Sequence, residues 1–569
     1  MNILLEIKQK IAKIIKSHTG QIIDLSQIAI PPDDQLGDLA LPCFELAKKL
    51  KKAPNQVAAD LAIDITGKTI IAKAQAAGPY LNFFLDKEAL AKLIIDAVDS
   101  EKNDFGTNKK GKGQKIMIEY SQPNTHKEFH IGHLRNVCIG SSLVNIYRLG
   151  GYKVIAANYL GDIGAHVAKT LWYWQKYVKE ADVPTDLKTR GEFLGQIYSK
   201  ASQLVGEDKA LKEEVQKVQQ KLEAGDKDLL KLWKTTRKWS LDLFAEIYKI
   251  IGVKFDVYFY ESEVEVPGKK IVSQLLKEGI AIKSEGAIIV DLKKYDLDVF
   301  LILKSDGTAL YATKDLALSQ IKFKKYKIDK SLYVIDVRQS MYFKQLFKTL
   351  ELMGFKEEMI HVPYDFVKLK DGIISSRSGN VITFLEVYNK CLEKVTAEIL
   401  KRHQDWPEIK VNDTAKKISL AALKFDLLKQ SNNKIVTFDI DEALSLEGFT
   451  GPYIQYATVR INSILAKAPK IEKGFAYQHY LYENIEKSLL KKLALYPQVI
   501  EDILASNDPS ALAHYLFGLA SEFNSFYHEF PILQAEDKIK KARLKLIMAT
   551  KQVLENGLNV LGIETVNEM

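Results

Sequence analysis

Ile118-Glu-Tyr-Ser-Gln-Pro-Asn-Thr-His-Lys-Glu-Phe-His130-Ile-Gly-His133-Leu-Arg-Asn136 is the stretch whose reading decides the fold. Its apolar lead-in, Ile116 to Tyr120, reads as a short strand. The chain turns at Pro123-Asn124, because proline fixes φ and disfavours helix in the residue before it. His130-Ile-Gly-His133 follows, and a helical pattern runs from Leu134 to Leu149. A strand, a polar loop and a helix start make an anion site: free backbone N–H groups and the helix dipole both face the loop. Imidazoles donate to phosphate oxygens, and Gly132 lets backbone approach a nucleotide. On its own, the His-x-Gly-His spacing is equally compatible with two histidines that merely begin a helix.

The neighbouring residues extend the pattern. Val154 to Leu160 reads as a second buried strand, followed by Gly161-Asp-Ile-Gly164 and another helix. Strand, glycine turn and helix twice over predict a multidomain α/β protein built on a doubly wound parallel sheet. Ligands bind such sheets at the carboxyl ends of the strands, where Asn158, Gly161 and Asp162 fall. From about 170 to 250 the pattern is long, charged and helical, with Trp233 and Trp239 as core candidates. Phe255 to Glu263 returns to strand character, and Ile288–Asp291, Val299–Lys304 and Leu332–Asp336 are further strands. Tyr311 and Asp315, one turn apart, share a helix face.

At 569 residues the chain predicts three or four domains, and 47% hydrophobic residues suffice for ordinary cores. The expected division is a small α+β unit over 1–100, a basic glycine-rich linker over 101–115, and the sheet domain over 116–384. A helical connector over 385–447 and an all-helical unit over 448–569 complete it. The net charge of +9 suits a polyanionic partner such as RNA, although many ordinary proteins share it. Cys43, Cys138 and Cys391 have no paired metal spacing and read as buried thiols, so no metal site is expected. No apolar run approaches the roughly 20 residues of a membrane helix, and the N-terminus lacks signal-peptide features. A cytoplasmic monomer without a membrane partner is the expectation.

Glu119-Tyr-Ser-Gln-Pro-Asn124, Lys127 and His130-Ile-Gly-His133-Leu-Arg135 together resemble the first signature of the class I aminoacyl-tRNA synthetases in its arginyl form. Asn158 to Gly164 matches that family's Asn-x-x-Gly-Asp-x-Gly pattern, and the resemblance continues in order over nearly the whole chain. It implies a Rossmann-like catalytic domain split by a helical insertion, an N-terminal domain touching the outer corner of tRNA, and a helical anticodon-binding domain. The implied activity joins L-arginine to tRNA(Arg), using ATP with Mg²⁺. His130, Gly132, His133, Gly161 and Asp162 would then contact ATP, and Lys127 would act with them. The family's second signature, Lys-Met-Ser-Lys-Ser, corresponds here to Ile373-Ile-Ser-Ser-Arg377. Both lysines are missing; the resemblance implies that Ser375 and Ser376 contact ATP and that Arg377 and Lys127 carry the charge.

An arginine site has its own physical requirements. The guanidinium is planar and always charged, so it needs a buried carboxylate, an aromatic face and polar groups for the α-amino and α-carboxyl ends. Glu119, Asn124, Glu261, Tyr311, Asp315 and Gln339 fall at strand ends or loop starts and match the family's arginine contacts. The family has histidine where Tyr342 stands, so that position is assigned no role. Near the C-terminus, Tyr453, Tyr456 and Arg460 lie on about one side of a helix opened by Pro452. The resemblance implies tRNA contacts from Tyr453, Gln455, Arg460 and the terminal Met569. A cysteinyl enzyme would need a zinc site, which the scattered cysteines oppose. Small nucleotidyltransferases with His-x-Gly-His are short single domains. An inactive RNA-binding paralogue is opposed by the intact His130/His133 pair and the retained pocket set.

Overall fold

The computed structural model describes residues 2–370 and 382–569. Its organising element is a five-stranded sheet, in the order Glu358–Tyr364, Lys330–Asp336, Lys115–Glu119, Lys153–Leu160, Val257–Tyr260. Every neighbouring pair is parallel. The chain enters at the middle strand, Lys115–Glu119, builds outward to one side, then returns to build the other. The sheet's topological switch point therefore lies between Lys115–Glu119 and Lys330–Asp336, the position at which such sheets form a ligand crevice outside the carboxyl ends. Glu119, Gly161, Glu261 and Asp336 all sit at or just past those ends.

The insertion between the second and third strands in sequence is helical, as its charge periodicity predicts: Ala165–Tyr177, Leu187–Val205, Lys209–Glu223 and Lys227–Ile251. The strand expected over 255–263 is shorter, because helix Glu261–Lys277 begins at Glu261 itself. The strands near 288 and 299 do not join the main sheet. With Ile282–Ser284 they form a separate antiparallel sheet, which feeds helix Tyr311–Tyr326.

The N-terminal unit pairs helix Ile3–Thr19 with an antiparallel sheet ordered Leu39–Pro42, Tyr80–Leu85, Ile71–Ala77. Gly78, at φ +59°, turns the last two strands onto each other. Ile71–Ala77 has too few large apolar residues to stand out as a strand in the sequence. Residues 101–115, expected as a linker, are tied into the fold by the backbone. Asn108 N–H donates to the Leu149 carbonyl (2.9 Å) and Gly111 N–H to that of Gly150 (2.8 Å), so long-range backbone bonds hold them.

The connector is not wholly helical. Between helices Glu408–Leu428 and Gly451–Ala466, strand Val436–Phe438 pairs in parallel with Val367–Leu369, directly before the second signature. Helices Asn484–Ser506, Ser510–Glu529 and Asp537–Val560 complete the C-terminal bundle. One continuous apolar core runs from Ile3 to Ile563, joining N-terminal, sheet and C-terminal units. All three cysteines are buried within the fold. Among the described residues no helix is long and apolar enough to cross a membrane.

Candidate active site

The signature helix Ile131–Leu149 is capped by its own histidines. His130 Nδ1 accepts from the N–H groups of Gly132 (3.1 Å) and His133 (3.3 Å), and His133 Nδ1 accepts from His130 N–H (3.1 Å). The expectation of free helix-start N–H groups facing an anion is corrected here, since these three are already bonded. The correction sharpens the chemistry. A neutral imidazole carries one proton, and with each Nδ1 accepting, that proton lies on Nε2. Burial pulls His130 down to about 4, with the Lys127 charge adding to it, and pulls His133 well below its ordinary value. The stacked rings, 3.8 Å apart, thus offer two neutral Nε2–H donors.

The loop before them has an unusual backbone. Ser121, Gln122 and His126 all have positive φ, at 80°, 41° and 63°. Such conformations persist only where surroundings over-determine them. Asn136 accepts from Ser121 N–H (2.5 Å), and Asn158 accepts from Gln122 N–H (3.1 Å). His126 is fully buried; its Nδ1 lies 2.9 Å from Thr125 Oγ1 and its Nε2 2.8 Å from Thr236 Oγ1 on an insertion helix. Burial drives its pKa down to about 3, so it serves as a neutral strut. Lys127 Nζ sits 5.0 Å from the centre of the Tyr198 ring, also on the insertion.

Gly161 and Asp162 have different roles from each other. A Cβ on Gly161 would lie 2.1 Å from Asn124 Oδ1, so only glycine admits that close approach. Asp162 is fully buried: its carboxylate accepts from Arg237 Nε (2.7 Å), Ser262 N–H (2.9 Å) and Ser262 Oγ (2.7 Å). A carboxylate so occupied braces the strand end against two helices. Arg135 is a second brace the sequence did not single out. Its buried guanidinium donates to the carbonyls of Asp365 (2.5 Å) and Ser431 (3.2 Å), tying the first signature helix to the strand pair that leads into residues 371–381. Ser375, Ser376 and Arg377 lie outside the described residues.

Across the crevice three carboxylates gather. Glu119 forms an ion pair with Lys322, their side chains 4% and 0% exposed. Burial alone would lower the Lys322 pKa, yet the Glu119 charge and hydrogen bond, Tyr333 and Asp315 together outweigh it and the net shift is upward. Glu261 pairs with Lys314 at 2.6 Å. Asp315 has no ion pair among those identified for the described residues; its Oδ2 accepts from the Tyr342 hydroxyl at 2.5 Å. Burial pushes its carboxyl up to about 7; Tyr342 and Lys322 oppose that rise, while Glu119 and Glu261 add to it. The Tyr159 hydroxyl is buried without a hydrogen-bond partner and feels all three carboxylates. Tyr311 opens the Asp315 helix and stays 59% exposed.

Asn124 lies half-buried beside Gly161, and Gln339 is exposed in the turn that ends strand Lys330–Asp336. Sequence reasoning assigned Tyr342 no role and did not single out Tyr159, Lys314 or Lys322. Lys322 had a detectable signal, since it lies two turns from Asp315 on one helix. Tyr342 and Tyr159 had none, because their partners lie far away in the chain.

In the C-terminal bundle, Tyr453, Tyr456 and Arg460 form a half-exposed stripe, with Arg460 stacked over Tyr456 (4.9 Å) and Tyr527 (4.8 Å). Gln455 points the other way. It is fully buried, and its amide donates to the Glu564 carbonyl (2.6 Å), which anchors the C-terminal tail. Met569 lines a cavity of about 480 Å³ together with Lys401, Arg402 and His403.

Three family models cover the chain: "Arginyl tRNA synthetase N terminal domain" over residues 4–85, "tRNA synthetases class I (R), catalytic domain" over 95–440, and "DALR anticodon binding domain" over 454–569. The arginine–tRNA ligase of Bdellovibrio bacteriovorus is 38% identical over 549 residues, covering 95% of this chain and 93% of its own. That of Clostridium botulinum (strain Alaska E43) is 37% identical over 574 residues, covering 99% and 100%. The solved arginyl-tRNA synthetase of Thermus thermophilus superposes with a TM-score of 0.81 at 25% identity, over 99% of each chain. With its sheet, its signature histidines and its acid pocket in this arrangement, the chain belongs to the arginyl-tRNA synthetases, a branch of class I.

Proposed function

We propose that the crevice activates arginine at its acid-lined end and holds ATP at its histidine end, as an arginine–tRNA ligase requires. The observation that carries the reading is the charge count among the described residues: three carboxylates meet two lysines, leaving Asp315 as the one without an ion pair there. A cationic side chain completes that set, and the exposed Tyr311 ring offers it a face. Glu119, Glu261, Asn124 and Gln339 line the remainder of the arginine site. Arginine's carboxylate oxygen attacks the α-phosphorus of ATP and pyrophosphate leaves; a terminal ribose hydroxyl of tRNA(Arg) then attacks the adenylate carbonyl, and AMP leaves.

Such chemistry needs in-line positioning and stabilisation of developing phosphate charge rather than covalent help. His130 and His133 supply Nε2–H donors to the phosphates, and Lys127 and Arg377 supply positive charge. The described residues include no group of three His, Cys, Asp or Glu side chains able to hold a metal. Mg²⁺ would accompany the ATP phosphates and help neutralise their charge. The Tyr453–Arg460 stripe and the basic rim around Met569 face the tRNA, residues 1–100 meet its outer corner, and the enzyme acts as a cytoplasmic monomer. Pyrophosphate exchange with each of the twenty amino acids, with and without tRNA, tests the assignment. Arginine alone should support exchange, and turnover of any other amino acid at a comparable rate overturns it.

A further inference from the structure

Asp315 stands between two ion pairs without joining either. Its one side-chain hydrogen-bond partner among the described residues is Tyr342, on helix Ser340–Leu352. The Tyr342 ring is held edge-on by Phe300 (5.6 Å, 68°) and by Phe343 (5.4 Å, 82°). Burial, reinforced by the Asp315 charge, pushes its phenol well above the ordinary value, so the hydroxyl keeps its proton and donates. With Oδ2 so engaged, Oδ1 carries no side-chain hydrogen bond among the described residues.

We propose that Tyr342 is a positioning residue for arginine selection: it grips Oδ2 of Asp315 and so presents Oδ1 to the substrate guanidinium. This rests on the reading of Asp315 as the guanidinium's partner. The hydrogen bond has a second consequence. Buried Asp315 is pushed toward the neutral acid by desolvation and by the charges of Glu119 and Glu261; Tyr342 and Lys322 pull the other way. Lys314 is committed to Glu261, and the phenols of Tyr159 and Tyr311 carry no charge that helps. Removing the Tyr342 hydroxyl therefore leaves the carboxyl both less well aimed and harder to ionise.

The test compares Tyr342→Phe, Asp315→Asn and the unaltered enzyme in aminoacylation at saturating tRNA, from pH 6 to 9. Tyr342→Phe should raise the arginine KM about tenfold, the scale of a lost hydrogen bond to a charged group, with kcat and the ATP KM near wild type. It should also move the acidic bend in kcat/KM for arginine upward by about one pH unit, and Asp315→Asn should abolish that bend. If Tyr342→Phe leaves both the arginine KM and the bend in place while Asp315→Asn raises the KM, the positioning role fails and the Asp315 reading stands. If Asp315→Asn leaves the arginine KM unchanged, both fall together. An equal rise in the ATP and arginine KM values in Tyr342→Phe marks a merely structural role and also overturns the proposal.

Discussion

The two ends of the crevice are built on opposite plans. At the nucleotide end, His130 and His133 satisfy each other and their own backbone within four residues, and burial keeps both neutral. At the arginine end, Glu119 finds Lys322 across the sheet, Glu261 finds Lys314, and Asp315 finds Tyr342. Neutral donors suit a polyanion whose own charge needs no buried counter-ion to be recruited. A cationic side chain requires the reverse, a carboxylate held ready but not already neutralised. In the proposed arrangement, local capping serves one substrate and long-range charge pairing serves the other.

The largest contrast should appear in stability. Lys322→Met leaves Glu119 buried without its partner and is expected to cost about 3–5 kcal/mol, read from the denaturation midpoint. His130→Ala removes only a helix cap and should cost about 0.5–2 kcal/mol. A smaller loss from Lys322→Met than from His130→Ala would break the comparison.

The catalytic effects should separate by substrate. His133→Ala should slow adenylate formation by roughly 10²-fold or more while the arginine KM holds, because a donor to the transition state is lost. Asp315→Asn should raise the arginine KM by roughly 10²-fold, about 2.7 kcal/mol, with a normal ATP KM and poorer discrimination against citrulline. Crossed results, with His133→Ala acting on arginine binding or Asp315→Asn on ATP, would show that the two ends are not independent.

The pH dependences should differ as well. Arginine favours ionised Asp315, whose carboxyl stands at about 7 in the free protein. Arginine binding should therefore be fully developed above pH 7 and weaken by up to about tenfold per unit as pH falls through and below it. His130, depressed to about 4, keeps its neutral donor over this range, so the ATP KM should stay flat between pH 8 and 6. The smallest expected difference lies within the nucleotide end. Lys127→Ala should slow activation more than Arg377→Ala does, with tRNA affinity unchanged in both; equal, negligible effects would remove Lys127 from the charge-supplying role.

Much of the fold was legible because its signals are local. The strand–glycine–helix alternation, the capping residues and the charged helical insertion are patterns within a few turns of chain, and the parallel sheet follows from them. The short strand Val436–Phe438 was not legible, because its pairing with Val367–Leu369 depends on a partner almost seventy residues away. Likewise, the linker composition of 101–115 gave no sign of its backbone bonds to the far end of helix Ile131–Leu149.

Sequence by itself determined the chemical types present at the site: imidazoles at a helix start, carboxylates at strand ends, and a phenol one turn from Asp315. Only the tertiary structure decided the state of each group. It committed Asp162 to Arg237 and Ser262, turned Gln455 inward, put the protons of His130 and His133 on Nε2, and left Asp315 as the carboxylate without a lysine. The physical reason is that a side chain's protonation and availability depend on desolvation and on charges within a few ångströms. In this chain those neighbours come from segments as far apart as Glu119 and Lys322, which become adjacent only when the sheet is assembled.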